Sequence, residues 1–316
     1  MTIKGRCRVR LDLTDYLTHF IHKPLRQGGA MPLCYDKDDN PVYAQANSKY
    51  VASFTIKQPS SFEVLLKILH DGIIRSGWAR RGNSPTIYGK RSAVCFTEMP
   101  LYALVKYAIV RDDAYKVDQY GIALNRYQLF RYGARPVIYG ISDHSSGGVN
   151  EIVTQAGYRL LDESTHVSLR EQYRFVRTEF SETDPYGFDW MHEREWRWPL
   201  PVDENEEPEY PDAPGIPIYS FKDCCVLVKT RDEQQCVIKL LRSFIDDPNW
   251  RFKGSKGNLS RWKIIAFDDI KENEYMSSYK SLRIEDLNHK QYGAHPTNPV
   301  ECCADANPKT MLPNDT

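Results

Sequence analysis

Apolar and polar positions alternate with two different periods along this chain, and the two periods predict different elements. Short apolar runs predict strands, and they occur at residues 51–56, 93–97, 120–124, 136–140, 192–200, 218–229 and 263–267. Within 218–229 the pattern predicts two strands, IYSF and CCVLVK, with a kink between them. Apolar residues three and four apart predict helices, and they follow Ser60, Pro100 and Asn125 and recur at 166–180 and 231–246. Few helices and many short strands in irregular order favour an α+β domain over a doubly wound parallel sheet.

Local signals predict where some of these elements begin and end. Ser60 and Glu63 have the spacing of an N-terminal capping box, and Gly72 is a suitable stop for the helix that follows. Pro100 suits the first turn of the next helix, since that position does not use its amide hydrogen. Residues 75–92 lie between the two helices and predict a loop.

The density of regular patterning predicts three regions in the chain. Residues 1–49 mix short apolar pieces with turn-rich polar stretches and are predicted to be an N-terminal extension. Residues 50–286 hold the regular pattern and are predicted to form the domain, with an acidic, proline-rich connection at 201–217. Residues 287–316 are polar and rich in Pro and Asn, which predicts a flexible tail. His19 and His22 could share a helical face, but the sequence supplies no further ligands for a metal there.

Composition excludes several classes of protein. Among 316 residues, 41% are hydrophobic and 27% charged, as in ordinary globular proteins. No run of 18 apolar residues occurs and the N-terminus has no export signal, so we expect a cytoplasmic chain that does not span a membrane. Eight cysteines include no Cys-x-x-Cys pair, which excludes the usual zinc ribbons and predicts reduced thiols.

Charge is balanced over the chain but not along it. The totals are 42 basic and 42 acidic residues, with the basic excess in residues 1–140 and the acidic excess in 141–316. A globally basic nucleic-acid binder is therefore not indicated, although a basic face remains open. Rossmann, P-loop, nucleophile-elbow and zinc-protease motifs are all absent from the sequence.

Two acids in the segment Glu193 to Trp198 give the sharpest local signal. If this segment is a strand, Glu193, Glu195 and Arg197 share one face, and Trp196 and Trp198 face the opposite way towards a core. Two carboxylates about 7 Å apart repel each other and need a basic partner or a chemical role. One such role is to stabilise an oxocarbenium-like centre. The alternative is a surface ladder in which the neighbouring arginines neutralise the acids.

The predicted loop at 75–92 is strongly basic. It contains five cations and no acid, namely Arg75, Arg80, Arg81, Lys90 and Arg91. Such a loop could neutralise a pyrophosphate or a nucleic-acid backbone, and Trp78 and Tyr88 could stack on a base or a nicotinamide ring. An ordinary exposed loop would have the same composition.

Taken in order, several segments resemble a known group of bacterial proteins. The segments are Ile68–Ile74, Val94–Leu101, Tyr120–Leu124, Gly133–Gly140 and Glu193–Arg197. This order resembles the AbiGi-type abortive-infection proteins and, more distantly, the DarT-type ADP-ribosyltransferases. The resemblance covers roughly residues 50–200. It implies an ADP-ribosyltransferase-like split mixed sheet with flanking helices.

The resemblance also implies roles for individual residues. Glu195 would be the catalytic glutamate that contacts the ribose of NAD, and Glu193 would orient the acceptor. Thr55 would contact the nicotinamide side, although Ser53 stands where the family pattern has His. Members of the basic loop, Arg75, Arg80, Arg81, Tyr88 and Arg91, would hold the rest of NAD.

The function implied is that of a toxin of an antiphage or toxin–antitoxin system that consumes NAD as a substrate. Its acceptor would be a nucleic-acid base or a protein, and an antitoxin protein would be its partner. Two alternatives stay open at this point. One is a non-catalytic module on the same fold that binds nucleic acid or a phage component. The other is a metal-dependent nuclease that uses Glu193 and Glu195.

Overall fold

A computed structural model describes most of the region predicted to be the domain and short pieces before it. The described residues are 14–21, 34–35, 41–42, 60–81, 84–111, 117–141, 151–153, 159–181, 184–188, 191–201 and 215–272. The strand predicted at 51–56, with Ser53 and Thr55, and the tail predicted at 287–316 lie outside them.

Eighteen strands, several of them only two residues long, are formed by these residues. They are β1 (Tyr16–Ile21), β2 (Cys34–Tyr35), β3 (Pro41–Val42), β4 (Ile73–Arg75), β5 (Arg80–Arg81), β6 (Ser84–Pro85), β7 (Ala93–Thr97), β8 (Tyr120–Asn125), β9 (Arg135–Pro136), β10 (Ile138–Ile141), β11 (Glu151–Val153), β12 (Arg159–Leu161), β13 (Phe175–Ser181), β14 (Asp184–Phe188), β15 (Glu195–Pro199), β16 (Gly215–Pro217), β17 (Cys224–Val228) and β18 (Lys263–Ala266). The described α-helices are α1 (Ser61–Asp71), α2 (Leu101–Arg111), α3 (Arg126–Arg131), α4 (Arg231–Asp246), α5 (Lys256–Leu259) and α6 (Phe267–Glu272).

A mostly antiparallel sheet of seven strands forms the centre of the described structure. Its order is β18-β17-β8-β1-β7-β15-β9, and β17 and β18 are its parallel pair. The central strand, β1, comes from the stretch predicted as an N-terminal extension, residues 1–49, so part of that stretch is integral to the sheet. His19 therefore lies on a strand and not on the helical face that it could have shared with His22.

Helices cover both faces of this sheet, which makes the fold α+β as predicted. The face that includes Leu17 and Phe96 packs against α1, α3 and α4. The opposite face includes Tyr16 and Cys225 and packs against α2 and α6. The strands β10, β13 and β14 form a separate sheet of three strands, in the order β10-β13-β14.

The helix signals in the sequence are confirmed at the two best-defined helices. At α1, the Ser60 side chain and Glu63 form the reciprocal capping box, and Gly72 ends the helix in the left-handed conformation with φ of 72°. The helix α4 has the predicted bounds, and Thr230 and Glu233 form a second capping box there that was not predicted.

Three predicted elements differ from the structure. The helix predicted at 166–180 is replaced by a 3-10 turn at Gln172–Arg174 and by β13, which pairs with β10. Of the two strands predicted within 218–229, the first is instead a 3-10 turn at Ile218–Ser220, and the second is confirmed as β17. The loop predicted at 75–92 contains β5 and β6, which pair with each other.

The strand predicted at 136–140 divides into two strands that belong to different sheets. Pro136 has no amide hydrogen and lies at the edge of the large sheet, in β9, where a proline is tolerated. After Val137, whose amide donates to the Glu195 carbonyl at 3.0 Å, the chain enters β10 and pairs with β13.

An ion-pair cluster at the end of α1 makes stability depend on pH. Burial of Asp71 acts to raise its pKa, but hydrogen bonds from His70 and Lys67 and the charges of Lys67 and Arg75 outweigh it and hold the pKa well below its usual range. A carboxyl with a lowered pKa in the folded state stabilises the fold above its unfolded pKa, and this contribution is lost as the pH falls.

We therefore expect the free energy of unfolding to decrease as the pH falls below about 5. Asp71→Asn should be less stable at pH 7 and should lose less stability on acidification. Urea unfolding between pH 7 and pH 3 measures both effects, with Asp246→Asn, an exposed site on α4, as the matched control. A parallel pH dependence in parent and Asp71→Asn would contradict the assignment.

Within the described ranges, no helix is long and apolar enough to cross a lipid bilayer.

Candidate functional site

The candidate site lies where β7 ends and β15 begins. These strands are antiparallel, and Glu195 is paired with Thr97 and Arg197 with Cys95. Directly paired residues place their side chains on the same face of a sheet. The four side chains therefore form one polar patch on the face opposite Trp196 and Trp198.

A two-point ion pair joins Glu195 to Arg197 at the centre of this patch. Arg197 Nε donates to Glu195 Oε1 at 2.7 Å and Nη2 donates to Oε2 at 3.1 Å. Arg197 is buried, whereas 13% of the Glu195 side chain is exposed. Burial alone would lower the pKa of Arg197, but the adjacent Glu195 carboxylate outweighs it and raises that pKa.

Arg197 also connects β15 to the segment where a helix was predicted. Its Nη1 donates to the carbonyls of Tyr173 at 2.7 Å and of Phe175 at 3.2 Å. The guanidinium is thus hydrogen-bonded on all of its sides, as a buried charge requires. Glu195 is held in one orientation by a group that is itself held by the backbone.

Glu193 does not share a strand face with Glu195, which corrects the predicted arrangement. Glu193 ends a 3-10 turn at Met191–Glu193, and Arg194 then has a positive φ of 46° before β15 starts. The Arg194 carbonyl accepts from the Glu98 amide at 3.1 Å, which fixes this conformation. A left-handed non-glycine residue costs energy and is found more often at functional sites.

The two carboxylates nevertheless act on the same neighbours. Burial raises the pKa of Tyr139 to about 12, and the charges of Glu195 and Glu193 add to this increase. Burial likewise raises the pKa of the Cys95 thiol, and Glu195 and Glu193 again act in the same direction. Glu193 Oε1 accepts a hydrogen bond from the Tyr107 hydroxyl at 2.7 Å, and the Glu195 amide donates to Tyr139 Oη at 3.0 Å.

The two tryptophans of β15 are structural, as predicted. Trp198 is buried in the core, and its Nε1 donates to the Tyr132 carbonyl at 2.9 Å. Trp196 packs against the same core, and its Nε1 donates to Glu98 Oε2 at 2.9 Å. Arg126 completes the contacts of the Glu98 carboxylate.

The residues predicted to bind NAD are not gathered at one place. Arg75 pairs with Asp71 at 2.9 Å, at the end of α1. Arg91 lies over the Tyr173 ring, 5.1 Å from its centroid, and donates to the Arg170 carbonyl. Arg80 and Arg81 form β5, and Thr55 lies outside the described residues.

Tyr88 is not available for the predicted stacking role. Only 2% of the residue is exposed, and its hydroxyl donates to Glu151 Oε2 at 2.9 Å. Arg159 lies over its ring, and Phe175 meets the ring edge to face. The Tyr88 ring packs in a small hydrophobic cluster with Leu161 and Phe175 and is not free to stack on a ligand.

Arg91 and Glu195 lie at opposite ends of the β7–β15 pair. Ala93 is paired with Pro199, and Thr97 is paired with Glu195. At the rise of a strand, the four steps from Ala93 to Thr97 span about 13 Å. Tyr173 joins the two ends, because its ring faces Arg91 and its carbonyl accepts from Arg197.

Four further residues of the patch were not predicted from the sequence as site residues: Thr97, Cys95, Tyr107 and Tyr139. Tyr107 lies three residues after Leu104 on α2 and could have been assigned to the helix face that meets the sheet. The positions of the other three depend on which strands pair, and no local pattern specifies that pairing. Among the residues that the structure describes, no group of three or more His, Cys, Asp or Glu side chains could hold a metal ion.

Comparison with known proteins leaves this geometry without a template. No family model, curated protein or solved structure matches the chain.

The chemistry open to the patch therefore follows from its own groups. A fixed carboxylate at Glu195 can stabilise a nearby positive charge without reorganising. A second carboxylate at Glu193, hydrogen-bonded to Tyr107, can accept a proton. Together they suit a reaction in which a cation develops and a nucleophile loses its proton.

Proposed function

We propose that this chain is an NAD-consuming mono-ADP-ribosyltransferase that acts as a toxin of an antiphage or toxin–antitoxin system. The observation that carries the proposal is the partly exposed Glu195 carboxylate, which Arg197 holds in a fixed direction next to the turn that carries a second carboxylate, that of Glu193. The resemblance of the segments between residues 68 and 197 to the DarT-type enzymes supports the same reaction.

In the proposed reaction, the bond between C1′ of the nicotinamide ribose and the ring nitrogen breaks. Its electron pair stays with nicotinamide, which leaves as a neutral molecule. Positive charge develops at C1′, where Glu195 stabilises it electrostatically. The acceptor then forms a bond to C1′, and its proton passes to Glu193.

Arg91 is the member of the basic loop that best fits a role towards the NAD phosphates. It lies two residues before β7, and β7 alone spans about 13 Å from Ala93 to Thr97, the strand partner of Glu195. Arg80 and Arg81 would assist it. Arg75, which is paired with Asp71, and Tyr88, which is buried, have no place in the proposed contacts.

The remaining parts of the proposal concern fold and partners. The finer fold assignment is the split mixed sheet of the ADP-ribosyltransferases, which the central sheet and the smaller β10-β13-β14 sheet would represent. The acceptor would be a nucleic-acid base or a protein, the protein would act in the cytoplasm, and an antitoxin protein would restrain it.

A second candidate function is a non-catalytic binding module on the same fold. One observation favours it, since both oxygens of Glu195 already accept hydrogen bonds from Arg197, as in a purely structural ion pair. No observation on the described residues favours the metal-dependent nuclease.

The experiment that separates the two candidates uses NAD labelled in two positions. The purified chain is incubated with cell extract and NAD that carries one label in nicotinamide and another in the adenylate. We expect release of nicotinamide and transfer of the adenylate label to the nucleic-acid or the protein fraction. Absence of nicotinamide release in the presence of every fraction would exclude the transferase and leave the binding module.

A further inference from the structure

A surface of exposed aromatic and basic residues surrounds α3 and reaches β9, the edge strand next to β15. We define the α3 surface as Tyr127, Phe130, Arg131, Tyr132 and Arg135. The exposed fractions of its three aromatic residues are 68% for Tyr127, 45% for Phe130 and 43% for Tyr132. Large aromatic residues are costly to expose, and a group of them marks an interaction site more often than a single one does.

The exposed rings are presented by a rigid support. Tyr127, Phe130 and Arg131 occupy positions i, i+3 and i+4 of α3, so their side chains lie on one face of the helix. Asn125 caps this helix by accepting from the Gln128 amide, and Leu129 anchors it in the core.

The other end of the α3 surface is equally well supported. The Tyr132 ring stacks on the buried Trp198 at a centroid distance of 6.0 Å. Its position is therefore set by the core rather than by a partner.

The charge of the α3 surface has one sign. Residues 126–135 contain three arginines and no acid. The Arg135 guanidinium lies over the Phe130 ring at 4.3 Å from its centroid, and Arg131 is exposed. The exposed Lys222 adjoins the helix, because its backbone amide donates to Gln128 Oε1. Arg126 is the arginine that pairs with an acid, Glu98.

We propose that the α3 surface binds single-stranded nucleic acid. Unpaired bases stack on aromatic rings whatever their sequence, and guanidinium groups next to those rings neutralise the phosphates between the bases. A duplex keeps its bases stacked inside and cannot use exposed rings in this way. The alternation of rings and arginines over residues 126–135 supplies both contacts from one short segment.

This binding does not rest on the proposed function. The core residue of α3, Leu129, belongs to the sheet face that packs against α1 and α4, whereas Glu195 lies on the opposite face. Arg135 is paired with Arg197 and so lies at the border of the two surfaces, but its guanidinium lies over the Phe130 ring of α3. Binding at the α3 surface therefore requires neither NAD nor the Glu195 carboxylate, and it can be measured without any reaction.

The test measures fluorescence anisotropy of labelled single-stranded DNA and RNA oligonucleotides with the full chain. We expect both to bind, and an unlabelled duplex to compete poorly. Tyr127→Ala and Phe130→Ala should each weaken binding by about 5- to 100-fold, as the loss of one stacked base does. Arg131→Gln should lower the slope of log affinity against log salt by about 0.7.

Matched controls keep the test specific to this surface. Tyr102→Ala changes another exposed tyrosine, on α2, and Arg242→Gln changes an exposed arginine on α4. Neither should alter the affinity. The proposal is overturned if the parent binds no oligonucleotide at low salt, if Tyr102→Ala weakens binding as much as Tyr127→Ala, or if Tyr127→Ala abolishes only self-association of the chain.

Discussion

Nicotinamide release by the Glu195→Gln variant is expected to be about 10²- to 10³-fold slower than by the parent chain. Glutamine keeps the length and one hydrogen-bond acceptor of glutamate, but it lacks the negative charge that would stabilise the ribosyl cation. The same change should leave oligonucleotide binding at the α3 surface intact. Initial rates with labelled NAD, measured on the folded proteins, give the comparison.

The control for this variant is Glu171→Gln. Glu171 is a half-buried residue whose carboxylate, on a side chain that is 44% exposed, pairs with Arg174, so its removal should leave the rate within about twofold. Glu193→Gln should give a smaller loss than Glu195→Gln if Glu193 accepts the proton of the acceptor. Equal rates for parent and Glu195→Gln would exclude the transferase mechanism.

Folding must be measured beside activity, because Glu195 has a structural partner. Two repelling acids on one strand face would predict that Glu195→Gln stabilises the fold. The ion pair with Arg197 reverses this expectation, since the variant leaves a buried guanidinium without its charged partner. We expect a loss of about 1–3 kcal/mol, which leaves the variant folded for assays well below its melting temperature.

The second large effect is expected at Arg197 itself. Arg197→Met should destabilise the fold by about 3–5 kcal/mol. It leaves the Glu195 carboxylate without its charged partner and removes the donor to the Tyr173 and Phe175 carbonyls. Urea unfolding at pH 7 measures the change in the free energy of unfolding.

Two variants show whether the effect belongs to this ion pair. Arg242→Met, at an exposed position of α4, should change stability by no more than about 0.5 kcal/mol. Arg197→Lys should recover only part of the loss, since an ammonium group cannot form both bonds to the carboxylate at once. An Arg197→Met variant as stable as the parent would mean that the pair contributes nothing to the fold.

The sequence predicts those elements that are determined by their own residues. The capping boxes at Ser60 and Thr230 and the apolar spacing behind them are local, and α1 and α4 form where the pattern indicates. The apolar run at 93–97 is likewise a strand, and alternation within 195–199 correctly places Trp196 and Trp198 towards the core.

Long-range contacts decide the elements that the sequence did not predict. Residues 175–181 carry apolar spacing compatible with a helix, but β10 and the Arg197 side chain pair with them in extended form. The position of Glu193 depends on a left-handed Arg194, and arginine gives no signal for that conformation. Tyr88 shows the same limit, because only the packing of Arg159 and Phe175 reveals that it is a core residue.

The central place of β1 has a consequence for how the chain assembles. β1 is synthesised before either of its neighbours, β7 and β8, and Tyr16 is paired with Asn125 across more than one hundred residues. Closing so long a loop is slow and entropically costly. In contrast, β17, α4 and β18 are consecutive and can pair locally as soon as residue 266 has emerged from the ribosome. β1 therefore stays without its strand partners until about one hundred further residues have been synthesised, and until then its apolar residues must be kept from other chains.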